Sequence, residues 1–219
     1  VTIRNTVPTL TGVSLSPTTA YVNTTLACAS GSTGDDDGDS VSVSYGWTVN
    51  GATISATGST LAGEFEKGDS VRCTGTPNDG SGSGTTVSSD AVTILNSTPS
   101  ASGVEISPTS PTTTDTLTAV TSGWSDADGD TEAYSYQWYV DGVAVSSGGT
   151  SRTLAGTAFV KHQAVHVVVT PTDGSASGTA LTSDPVDVVN TPPTAPVVLV
   201  TPTDAEPEDD LFCSLTTAS

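Results

Sequence analysis

The feature that most constrains this chain is that it repeats itself. Val1-Thr2-Ile3-Arg4-Asn5-Thr6-Val7-Pro8 returns as Val92-Thr93-Ile94-Leu95-Asn96-Ser97-Thr98-Pro99, and again as Val186-Asp187-Val188-Val189-Asn190-Thr191-Pro192-Pro193. Asn5 and Asn96 are 91 residues apart, and Asn96 and Asn190 are 94 apart. The same offsets carry Leu26-Ala27-Cys28 onto Leu117-Thr118-Ala119 and Leu211-Phe212-Cys213. They carry Asp37-Gly38-Asp39 onto Asp128-Gly129-Asp130, Trp47 onto Trp138, and Asp79-Gly80 onto Asp173-Gly174. So many ordered matches in one register define a unit of a little over ninety residues. Two full units, 7–96 and 97–190, then lie between fragments 1–6 and 191–219. The first fragment reads as the last strand and connector of a preceding repeat. The second reads as the first two strands of a following one. Half a sheet would leave its edges unpaired. The expectation is therefore a parent protein that continues in both directions, truncated here mid-domain at both ends. A start at Val1 rather than Met fits a mature fragment or an excised segment.

Each unit reads as strands. Val41, Val43, Tyr45, Trp47 and Val49 alternate with Ser42, Ser44, Gly46 and Thr48, the period of two that marks a half-buried strand. That run ends at Asn50-Gly51, and its copy at Asp141-Gly142, both signals for a two-residue hairpin. Val13 with Leu15, Leu26 with Cys28, Val71 with Cys73 and Val92 with Ile94 supply further strands. Ser and Thr make up about a third of the chain and Met is absent. No segment has helical periodicity. About seven short strands per unit, with turns every 8–12 residues, describe an all-β, two-sheet sandwich.

Charge narrows the partners. The net charge is −19, from 24 acidic against 5 basic residues. That argues against nucleic acid and against anionic membrane surfaces, which demand clustered Lys and Arg. No apolar run reaches the length of a membrane span and no signal peptide is visible, so direct membrane insertion is not expected. Asp outnumbers Glu about three to one and gathers in short loops. Clustering favours divalent cations over solubility or salt adaptation, although adaptation to high salt stays open.

In the first unit Cys28, Trp47 and Cys73 fall on the second, third and sixth strands. This order resembles the immunoglobulin pattern, and the units are read as tandem immunoglobulin-like β-sandwich domains. The resemblance implies a disulfide, Cys28–Cys73, crossing the sheets beside buried Trp47, with Trp138 as the core Trp of the second unit. Two free buried thiols is the other reading. Ala119 and Val167 stand at the cysteine positions of the second unit, so both partners are lost together. Cys213 matches Cys28, and its expected partner would lie beyond Ser219. A disulfide pattern implies an oxidising, extracellular compartment. More narrowly, the D-x-D-G-D loop before a Tyr-x-Trp-x-Val strand, with the Asn-Thr-x-Pro connector, resembles PKD-type (cadherin-like) repeats. Such repeats belong to large bacterial and archaeal surface proteins, and the resemblance implies stalks, adhesins or filaments.

Asp35, Asp37 and Asp39 fall within five residues, as do Asp126, Asp128 and Asp130. Hard cations want several oxygens on a tight loop, and Gly38 or Gly129 permits the turn. Asp79 and Asp173 sit in the loop between the sixth and seventh strands. In an immunoglobulin-like sandwich that loop lies at the same end, so four carboxylates per unit are expected to converge on weakly bound calcium. Gly46 and Gln137 stand where an EF-hand needs its last Glu, so this is no EF-hand. Solvated Asp-Gly turns are the alternative.

Enzyme signals are poor. His162 and His166 are the only two His residues, and their counterparts in the first unit are Gly68 and Arg72. No nucleophile elbow, phosphate loop or zinc-type Cys cluster occurs. Trp124 has no aromatic counterpart and is expected to pack against its own loop, with a sugar or a neighbouring domain as the other possibility. Asn23 and Asn96 fit the glycosylation acceptor pattern. The function expected is a structural segment of an extracellular stalk, filament or sheath, stiffened by calcium and by Pro-containing connectors. Its partners would be neighbouring repeats and identical subunits in an assembly. The alternatives are an adhesin or glycan-binding module, and an accessory region of a secreted enzyme.

Overall fold

The computed structural model describes residues 4–216. Val1-Thr2-Ile3, read above as part of a last strand, lie outside the described residues. In the first repeat β1 (Thr9–Leu10) and β2 (Val13–Ser16) lead to β3 (Leu26–Ser30) and the short β4 (Thr33–Gly34). The long β5 (Ser42–Val49) follows, then β6 (Ala52–Ile54), β7 (Thr60–Leu61) and the long β8 (Ser70–Asn78). A final strand is broken into β9 (Val87–Ser88) and β10 (Val92–Thr93). One sheet has the order β2-β3-β7, and the other β10-β8-β5-β6 with β9 also on β8. The chain is all-β, and each repeat is an immunoglobulin-like sandwich of two such sheets.

The second repeat copies this with β11 (Gly103–Ser107), β12 (Leu117–Ser122), β13 (Ala133–Val140), β14 (Val143–Ala144) and β15 (Thr153–Leu154). A single 3-10 turn, Gly156–Ala158, precedes β16 (Ala164–Thr172), β17 (Leu181–Thr182) and β18 (Val186–Asp187). Its sheets have the orders β11-β12-β15 and β14-β13-β16-β17. Finally β19 (Val197–Thr201) pairs with β20 (Phe212–Thr216), placing Val200 opposite Cys213 as β2 and β3 place Leu15 opposite Cys28.

The alternation read from the sequence is what buries each core. Along β5 only Trp47 is fully inside, and β8 buries Val71, Cys73, Gly75 and Pro77 on one face. Trp47 and Trp138 are both completely buried, and each indole N–H is satisfied, by the carbonyls of Gly58 and Ser151. Cys28 and Cys73 are joined by a disulfide across the sheets, 6.0 Å between Cα atoms and 45 residues apart in sequence. Ala119 and Val167, fully buried, fill the same positions in the second repeat. Asn50 and Gly51 both have positive φ (51° and 81°), as do Asp141 and Gly142 (48° and 78°), the type I′ requirement of a two-residue hairpin.

Ser89 and Ser183, the two buried polar residues of the core, sit where the last strand breaks. The Ser89 hydroxyl accepts the Cys73 N–H at 3.1 Å, and Ser183 accepts that of Val167 at the same distance. The hydroxyl replaces a ladder carbonyl there, so the break costs no unpaired donor.

Close packing groups the residues into two compact units. One holds the residues up to Val104 together with Thr121–Tyr136 and Val168–Thr182. The other holds Glu105–Val120, Gln137–Val167 and the residues from Ser183 onward. The acidic loops of both repeats, and both connectors leading into them, thus belong to the first unit.

Candidate functional site

The site is built where each connector meets the acidic loop of the repeat it enters. Antiparallel pairing of Thr9 with Gly34 and Leu10 with Thr33 straps the chain just after Pro8 to the stem of the Asp35–Asp39 loop. In the second repeat a single bridge, Ser100 with Ser125, does the same for the Asp126–Asp130 loop. Of this extra two-residue ladder, β1 precedes the expected first strand and β4 lies between the expected second and third strands. The ladder was not legible in the sequence, because two residues carry no period.

The strap brings the repeated Asn-Thr/Ser of the connector onto the carboxylates. Asp37 Oδ2 accepts the Thr6 N–H at 2.7 Å and the Thr6 hydroxyl at 2.8 Å. Asp128 accepts the Ser97 N–H through Oδ2 at 2.5 Å and the Ser97 hydroxyl through Oδ1 at 3.0 Å. One residue earlier, the Asn5 carboxamide donates to Asp79 Oδ2 at 3.0 Å and the Asn96 carboxamide to Asp173 Oδ2 at 2.9 Å. The other oxygen of Asp79 caps its own turn through the N–H groups of Ser81 and Gly82. Asp173 does so through Ser175 and Ala176. The backbone of Gly84 passes so close to the Pro8 carbonyl that no Cβ fits, and Gly178 does the same at Pro99. The connector is therefore held from both loops at once.

These bonds favour the ionised acids. The Thr6 N–H, then its hydroxyl, hold the Asp37 carboxyl below the ordinary carboxylate range against a raising influence from nearby Asp79. The Asn5 amide, followed by the Gly82 and Ser81 N–H groups, lowers Asp79 likewise. Asp173 is brought down to about 2, first by the Asn96 amide and then by the Ala176 N–H.

Within each loop one carboxylate oxygen from each of Asp35, Asp37 and Asp39 lies within 4.8 Å of the others, and so do those of Asp126, Asp128 and Asp130. Asp35 Oδ1 receives the Asp37 and Asp39 N–H groups, and Asp126 Oδ1 those of Asp128 and Asp130. Gly38 (φ 83°) and Gly129 (φ 75°) make the turn that allows it. The remaining oxygens, Asp35 Oδ2 and Asp126 Oδ2, are buried and have no hydrogen-bond partner. A buried carboxylate oxygen without a donor is costly. The oxygen-only donor set and the orphaned atom both fit a hard cation held by the three loop acids. Asp79 and Asp173, expected to complete a set of four, lie outside the three-oxygen groups and bond their own turns and the connector Asn.

Among the residues that escaped the sequence reading, two stand beside the second acidic loop and its connector. The first is Lys67, whose ammonium pairs with Asp130 Oδ2 at 2.5 Å and also donates to Asn96 Oδ1 at 3.0 Å. Its pKa is raised, chiefly by that bond to Asp130. A signal existed, since the only two lysines, Lys67 and Lys161, occupy the same repeat position. The second is the connector Asn itself, visible as a repeat but not as a hydrogen-bonding group. Asn96 is thereby engaged on both sides of its amide, whereas Asn23 lies exposed in a turn. Trp124 packs edge-on against Tyr134, with centroids 5.6 Å apart. His166 stacks on Tyr139 at 4.9 Å, and His162 lies exposed in a turn with φ of 71°. Cys213 is free and exposed. Among the described residues, no helix is long and apolar enough to cross a membrane.

No protein-family model matches the chain and no curated protein matches it. Similar solved structures exist. Fibronectin(III)-like modules of Clostridium thermocellum CbhA are 13% identical over 81% of this chain and 94% of that one, with a TM-score of 0.31. A Ca2+-stabilized adhesin of an Antarctic bacterium is 18% identical over 90% of this chain and 52% of that one, with a TM-score of 0.34. The three N-terminal domains of the Hoc outer capsid protein of bacteriophage RB49 are 16% identical over 94% and 70%, with a TM-score of 0.33. At such values the likenesses carry no weight for function.

Proposed function

We propose that this chain is a structural segment of an extracellular surface stalk, filament or sheath, without catalysis of its own. Its acidic loops bind calcium and so stiffen the connectors. The observation that carries the reading is the connector clamp, Asp37 on Thr6 and Asp128 on Ser97, which occurs in both repeats at the same place. A module selected for grip at its tips would have no need to fix its own entry peptide twice over. A spacer does, because a loose junction shortens a rod. The orphaned oxygens of Asp35 and Asp126 support the cation half of the reading. The Asp-rich loop and connector likewise support placing the repeats with the PKD-type, cadherin-like class of surface repeats. Partners, on this reading, are neighbouring repeats and identical subunits, with no nucleic acid.

Thermal melting in millimolar calcium and in chelator tests the cation. Extracellular modules bind calcium at about 0.1–1 mM. By linkage, about 10 mM calcium then adds roughly 1.4–2.7 kcal/mol per site. A melting temperature that calcium leaves unchanged removes the Asp loops from the list of sites.

A further inference from the structure

We infer that Lys67 is the built-in counter-cation of the second acidic loop, a charge latch that calcium must displace. The inference rests on the calcium reading for its second half only. Lys67 and the Asp126–Asp130 loop belong to one compact unit, and their contact is the single ion pair among the described residues. The ammonium reaches Asp130, a member of the three-oxygen group, and is simultaneously fixed by Asn96 Oδ1. It comes from the turn before β8 of the first repeat, 63 residues away from its acceptor. The latch therefore ties the body of one repeat to the loop of the next.

The second loop presents three carboxylates, one of which is already shared with an ammonium. A divalent ion entering the second loop meets a like charge at contact distance, or must expel it. Either way its affinity falls, by about tenfold for a penalty of about 1.4 kcal/mol. Filling that loop would release Lys67 and exchange a tether between repeats for a metal-rigidified loop.

Amine labelling followed by mass spectrometry tests this on the whole chain, with Lys161 as the internal control. Lys161 occupies the same repeat position, is exposed, and pairs with no acid among the described residues. In chelator, Lys67 should react several-fold more slowly than Lys161, and Asp130→Asn should abolish the difference. Equal reactivity in chelator overturns the latch whatever calcium does. On adding calcium the protection should disappear, with a midpoint at an affinity seen by calorimetry. Lys67→Gln should then tighten that binding step about tenfold. Binding that Lys67→Gln leaves unchanged, or protection that persists when both sites are full, overturns the competition while leaving calcium binding intact. Calorimetry showing no binding at all instead overturns the calcium reading, and the competition with it, and leaves the chelator arm to judge the latch.

Discussion

Asp128 holds Ser97 by two hydrogen bonds, one to its backbone N–H and one to its hydroxyl, across 31 residues of sequence. Asp37 holds Thr6 in the same way over the same separation. The loop acids are thus anchors for the incoming chain before any cation is considered. Replacing Asp128 by Ala should free the Ser97 amide at a cost of about 1 kcal/mol in local opening. Hydrogen exchange at Ser97 should accelerate about fivefold, while exchange of the β5 and β8 amides stays unchanged.

Acid should loosen the same junction from its other side. Asp173 has its pKa lowered from 3.8 to about 2 by the Asn96 amide and its turn N–H groups. A depressed folded pKa contributes stability that is present above the unfolded value and lost as pH falls through the folded one. The Asn96–Asp173 bond should therefore persist at pH 5 and fail between about pH 4 and pH 2. The side-chain amide resonances of Asn96 report it directly, and Asp173→Asn should abolish their pH dependence.

The repeats should answer reduction differently. Closing a 45-residue loop with Cys28–Cys73 stabilises the first repeat by about 4 kcal/mol in the chain-entropy model. Cys28→Ala with Cys73→Val copies the packing that Ala119 and Val167 give the second repeat. Protease susceptibility should rise within 7–96 and stay unchanged within 97–190.

Gly178 is irreplaceable for a steric reason. A Cβ there would run into the Pro99 carbonyl and press on Pro171, so the loop before β17 could no longer close on the connector. Gly178→Ala should destabilise the second repeat by about 2–3 kcal/mol. Gly174, also in that loop but with open space around its Cβ position, gives a contrast in which only its φ of 88° opposes substitution.

Much of this fold was legible because the residues involved obey local rules. The alternation around Trp47 dictates which face is buried, and Asn50-Gly51 announces its hairpin because few residues accept two positive φ angles in succession. Repetition did the rest, pairing Trp138 with Trp47 and the two Asp loops with each other. What could not be read were contacts whose partner is distant and whose residue types are common. Thr6 on Asp37, Asn96 on Asp173 and Lys67 on Asp130 are of this kind. So are Ser89 and Ser183, two serines among many, which gain their role only where the last strand breaks. His162 shows the reverse case, since its φ of 71° matches the 89° of Gly68 and marks a backbone demand that the residue type conceals.

Small-angle scattering of the chain in calcium and in chelator measures the claim of a calcium-stiffened spacer most directly. In calcium the maximum dimension should increase and the distance distribution should narrow. Replacing Asp35 and Asp126 by Asn should remove both changes. An identical profile with and without calcium would contradict the account, even if calcium binds.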